Sequence, residues 1–154
     1  MLASRSVFGM LRPVKIRERD QLTFLQEAAR GIPDDKLGDL RALLDQIDSA
    51  AFMIDPVGRV VAWSQFAEHM FGYSRDEAAG LQIGDFYSEQ DREQGVHRTE
   101  LRRALTHGRI DVRAWRLGRD DSKIHASVMM GPVRDPVGGL RGFALIVRKI
   151  DSAS

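Results

Sequence analysis

The stretch MIDPVGRVVAWSQFAEHMFGYSRDEAAGLQIGDFYSEQDRE, Met53 to Glu93, changes its hydrophobic period partway along. Its apolar start, the Pro56–Gly58 turn signal and the alternating RVVAWS together read as a β-hairpin over Ala51 to Ser64. From Gln65 the alternation stops, and Gly72, Gly80 and Gly84 divide the segment up to Tyr87 into short helices rather than one long one. Ser74, with Glu77 three residues on, is a capping box that starts one of them.

C-terminal to this stretch, Asp91 to His107 predicts a longer helix with Val96, His97, Leu101, Ala104 and Leu105 on one face and Gly108 at its end. Three strands come next, RIDVRAWRLG, SKIHASVMMGPV and LRGFALIVRKI, separated by RDD and RDPVGG. Strands joined by short turns pair antiparallel, and the helices between the second and third strands must cover one face of the sheet. The fold class is therefore α+β, with one domain over residues 49–151.

N-terminal to it, residues 16–48 read as two helices. The first runs from Ile16 to Arg30, with Leu22, Leu25, Ala28 and Ala29 on one face and Gly31 as its stop. Pro33 suits the first turn of the second, and Asp34 and Asp35 suit the positive end of its dipole. On it Leu37, Leu40, Leu44 and Ile47 form an apolar stripe that must be buried, either on the chain's own sheet or against a second copy. Residues 1–15 show no sustained period and are expected to form a flexible arm.

Composition narrows the function. The 154 residues are 43% hydrophobic and 29% charged, enough for one globular core. A net charge of +1, from interspersed acids and bases, gives no broad surface for nucleic acid. There is no cysteine, hence no disulfide, thiolate or cysteinyl-flavin chemistry. No apolar run is long enough to span a membrane, so a cytoplasmic protein is expected. No nucleophile elbow, phosphate loop or paired-histidine metal motif is present, so the chain reads as a non-enzyme.

The stretch from Met53 to Glu93, with its FGYSRDEAAG segment, and the closing WRLGRDDSKIHASVMMGPVRDPVGGLRGFALIVRKID resemble a PAS domain. The resemblance runs from about Ile47 to Asp151 with order and spacing kept. It implies a five-stranded antiparallel sheet with helices on one face and a small-molecule pocket between them. It also implies flanking helices that transmit a signal and dimerise, which tips the Leu37, Leu40, Leu44, Ile47 stripe towards a homodimer interface. If the chain is full length, its output passes to a separate signalling protein.

Three positions depart from the family pattern: Ser64 stands for an asparagine, Asp121 for a turn glycine, and His125 for an aromatic residue. Ser64 can still cap a helix, and Asp tolerates the positive φ that a glycine there would supply.

The resemblance makes Phe66, Met70, Phe71, Phe86, His97, Leu101, Trp115, Val128, Met130 and Phe143 the candidates for lining a ligand pocket. His97 occupies the place of the proximal histidine of haem-binding relatives, so a haem sensor with His97 on iron is one alternative. The segment from Gly108 to Asp121, short and carrying Trp115, instead matches the general sensory class, for which no cofactor is implied. His69 and His107 have no ligand partners at helical spacing, and Met53, Met70, Met129 and Met130 suit an adaptable core. The reading is a sensory module that binds a small ligand, a partner protein or both; the alternative from another class is a ligand-free scaffold for protein contacts.

Overall fold

The computed structural model describes residues 16–33, 35–36 and 40–150. Helix α1 (Glu18–Arg30) and the single turn α2 (Arg41–Leu44) precede strands β1 (Ala50–Ile54) and β2 (Val60–Trp63). Then come α3 (Gln65–Phe71), α4 (Arg75–Ala78), a 3₁₀ turn (Ile83–Phe86), α5 (Glu89–Glu93) and α6 (Val96–His107). Strands β3 (Ile110–Leu117), β4 (Lys123–Arg134) and β5 (Leu140–Lys149) complete one antiparallel five-stranded sheet in the order β2-β1-β5-β4-β3. The α+β class and the five-stranded sheet with helices are as the sequence predicts.

Local chemistry fixes the elements. Asp55 accepts from Val57 N and Arg59 N to close the β1–β2 turn, and Asp135 does the same with Val137 N and Gly139 N between β4 and β5. Ser64, fully buried, accepts from Ala67 N to cap α3 and from Ala51 N to hold the start of β1. The predicted capping box is present, with Ser74 Oγ accepting from Glu77 N and Glu77 accepting from Ser74 N. At Gly142 φ is +146°, and any Cβ would run into the Ile54 carbonyl oxygen, so only glycine lets β5 approach β1 there.

The central strands of the sheet are covered on both sides. Phe52, Trp63, Val128, Met130 and Leu145 face α3–α6, while Met53, Ala62, Met129, Ala144 and Ile146 face α1 and the segment around α2. The second of these cores corrects the expected place of a dimer seam. Leu40, Leu44 and Ile47 are at most 2% exposed and pack into it with Leu22, Leu25 and Ala29, so they cannot form a seam with another molecule. Leu37 lies outside the described residues, as do the 1–15 arm and Asp151.

Two helix expectations are also corrected. In place of one helix from Asp91 to His107, Gly95 adopts a left-handed φ of 71° and separates α5 from α6. Between residues 40 and 48 the α-helix is a single turn, Arg41–Leu44, because the chain must reach β1 while keeping Leu40, Leu44 and Ile47 on the sheet. Among the described residues no helix is long and apolar enough to cross a membrane.

If the stripe belongs to the chain's own core, Leu44→Ala should lower unfolding free energy by about 2–5 kcal/mol in urea melts, with no change in sedimentation mass. A loss well under ~1 kcal/mol, below the range for a deleted core leucine, would place the side chain outside the core.

Candidate functional site

The resemblance puts the site between the inner face of the sheet and α3–α6. Aromatic side chains meet one another across that space. Phe52 and Phe86 have centroids 5.4 Å apart, Trp63 and Phe71 5.5 Å, Phe71 and Phe86 5.1 Å, and Trp63 stacks on Phe86 at 5.7 Å and 19°. All four are fully buried, and these separations are those of rings in direct contact. The Trp63 indole N–H donates to Tyr73 O at 3.0 Å, so the one polar atom of the set is also paired.

Beside the rings lies a buried polar triad. Period-two alternation along β3 turns Ile110, Val112, Ala114 and Arg116 inward, and Glu100 sits one helical turn before Ala104 on the buried face of α6. The Tyr87 hydroxyl donates to Glu100 Oε1 at 2.5 Å, Arg116 Nη2 donates to the same oxygen at 2.8 Å, and the guanidinium lies 4.0 Å above the Tyr87 ring. Glu100 and Arg116 are 7% and 4% exposed. Two desolvated charges at this depth persist only as a hydrogen-bonded pair. Burial, opposed by the nearby Arg116 charge and reinforced by Glu100, drives the Tyr87 phenol well above its ordinary pKa.

His97 is half-buried at the margin of this region. Its ring lies 5.6 Å from that of Tyr87, and its Nδ1 is buried without a hydrogen-bond partner. Burial first, then the charges of Arg98 and Arg92, lowers its pKa and favours the neutral imidazole. The imidazole borders a surface groove of about 420 Å³ that Arg92, Arg98, Val57 and Leu101 also line. A haem on His97 would need the space held by Phe52, Phe71, Phe86 and Tyr87, so the residues present do not fit one. A flavin set between sheet and helices meets the same rings, and no cysteine is available for an adduct.

Of the predicted pocket residues, Phe71, Phe86, Val128, Met130 and Phe143 share this buried core, and Met70 and Leu101 pack against it. Phe66 and Trp115 do not join them, being 47% and 54% exposed. On α3 the inward positions are Ala67 and Phe71, which turns Phe66 to solvent. On β3 the parity that turns Arg116 inward turns Trp115 outward, where it stacks on His125 at 4.7 Å. Sequence reasoning missed Phe52, Trp63, Tyr87, Glu100 and Arg116. Counting parity from Ile110 would have found Arg116; the charged types of Glu100 and Arg116 disguised their burial.

A family model described as PAS fold matches residues 38–150. Two-component system protein A of Emericella nidulans is 33% identical over 111 residues, 71% of this chain and 16% of that protein's length. Among solved structures, the PAS domain of a protein from Colwellia psychrerythraea superposes with a TM-score of 0.64 at 23% identity, covering 73% of this chain and 95% of that one. The LOV protein of Rhodobacter sphaeroides gives 0.63 at 17% identity, covering 79% and 71%. At these identities the two structures establish the shared fold alone.

The triad has two testable consequences. Glu100→Ala strands Arg116 in the interior and should cost about 3–5 kcal/mol in denaturant melts, whereas the double change Glu100→Leu with Arg116→Met should recover most of it. An equal loss in both would mean that the charges are not a coupled pair. Because the Tyr87 pKa is raised on folding, the unfolded chain loses the phenol proton first, so stability holds below the ordinary phenol value of 10.0 and falls as pH climbs past it. Tyr87→Phe should flatten that alkaline decline, and an unchanged slope would contradict the assignment.

Proposed function

We propose that this chain, which belongs to the PAS family, is a sensory and signalling module that works through contacts with another protein, with no small molecule held between its sheet and helices. The observation that carries this reading is the interior itself, where Phe52, Trp63, Phe71 and Phe86 touch one another and the Tyr87–Glu100–Arg116 triad satisfies the adjacent polar groups. A ligand there would have to displace rings packed as tightly as a crystal. The similarity to a two-component system protein supports a place in signal transduction; that relative is far longer, since the chain spans 16% of it.

The module is non-enzymatic on this reading, since its interior charges are committed to each other. On the same reading it is cytoplasmic, and its output is delivered by protein contact. The stripe of Leu40, Leu44 and Ile47 belongs to its own core and leaves self-association, where it occurs, to other surfaces.

An absorbance spectrum and a native mass of the purified chain test the reading. The expected result is no Soret or flavin band, a mass equal to the polypeptide, and no thermal shift with added haem or flavin mononucleotide. A stoichiometric chromophore or a co-purifying ligand mass would overturn it.

A further inference from the structure

Resting on the reading that this module acts through protein contacts, we infer that the uncovered part of the outer sheet face binds an acidic, extended segment of a different protein. The helix α1 and the α2 region cover Met53, Ala62, Met129, Ala144 and Ile146. Beyond their reach the same face presents Arg113 and Trp115 on β3, His125 and Ser127 on β4, and Arg148 on β5. The register sets Arg113 opposite Ser127 and Ser127 opposite Arg148, with Trp115 and His125 as the next row. Where this face meets the first turn of α1, a cleft of about 350 Å³ opens, bordered by Arg19, Arg109, Arg113 and Arg148.

The charge of the face is unbalanced. Arg148 pairs with Glu18, and Arg109 with Asp111 at 3.3 Å. Among the described residues, Arg19, Arg113 and Lys123 have no carboxylate partner. Trp115 adds a large apolar ring that stacks on His125 and leaves the residue 54% exposed. An immobilised tryptophan beside the unpaired Arg113 is the composition of an energetic interface centre.

That imbalance selects the occupant. A second copy meeting this face symmetrically would set Arg113 and Lys123 against their own kind, which is repulsive. A nucleic-acid backbone would meet Glu18 and Asp111 inside the cleft, and the chain as a whole is only +1. An acidic polypeptide satisfies the cations at discrete points. Because β3 is the edge strand, a segment laid along it in extended form would show same-side residues about 7 Å apart, the spacing of Arg113 and Trp115. The partner segment therefore carries a carboxylate two positions from an apolar side chain.

The test uses the full chain and a labelled peptide repeating Glu-Ser-Leu-Ser, followed by fluorescence anisotropy. Saturable binding that weakens with salt is expected, with at least about tenfold weaker binding for Arg113→Glu and for Trp115→Ala, both solvent-facing changes. A Lys-Ser-Leu-Ser peptide should not bind. Absence of binding, binding by either variant as tight as that of the unaltered chain, or tighter binding of a short DNA duplex or of phosphatidylserine vesicles would overturn the inference. A bound chromophore with peptide binding intact would defeat the packed-interior reading alone, and a colourless protein without peptide binding would defeat this one alone.

Discussion

Strand β1 is buried over all five residues from Ala50 to Ile54, and this constraint organises the molecule. A strand flanked by neighbours and buried on both faces must be covered twice, since successive side chains point to opposite sides. Phe52 is met by Trp63, Phe71 and Phe86 on the inside. Ala51 and Met53 are met by α1 and the α2 region on the outside. The N-terminal helices are thus one layer of the fold, and their apolar stripe is determined by the sheet beneath it.

Ser64 joins the two layers. Its hydroxyl accepts from the β1 backbone at Ala51 and from the first turn of α3 at Ala67, so the strand that needs double cover and the helix that starts the inner cover share one buried oxygen. Replacing the family's asparagine by serine keeps the acceptor and shortens the reach. The left-handed Asp120 and Asp121, both at φ 57°, likewise keep the tight β3–β4 turn without the usual glycine, at a conformational cost that aspartate bears better than most residues.

Element types and order were readable because they rest on local signals: the change of period after Trp63, the capping box at Ser74, and the glycines at 72 and 108. The break at Gly95 was harder to read, since an isolated glycine inside a helical pattern is often tolerated. The destination of the apolar stripe was not readable either. Leu40, Leu44 and Ile47 have the spacing of an interface seam, and only the exposed half of a sheet formed by distant residues reveals that their partner is internal. The candidate site was readable for its apolar members and misread for its charged ones. Hydropathy assigns Glu100 and Arg116 to the surface and Trp115 and Phe66 to the interior; strand parity and helix phase assign them the other way.

The two assignments on β3 are one event. The backbone that turns Arg116 inward to Glu100 must turn Arg113 and Trp115 outward, since parity cannot be chosen residue by residue. The buried triad therefore ties α6 to β3 and also fixes which residues β3 offers to solvent. A one-residue slip of β3 against β4 would bury Trp115 and expose Arg116, abolishing the ion pair and the exposed ring together. The pair from Arg116 to Glu100 at 2.8 Å makes that slip costly, because it would strand a desolvated carboxylate. Interior and surface are in this way coupled through a single strand register, and the buried Glu100–Arg116 pair is what holds a tryptophan and its neighbouring arginine in place on the outside.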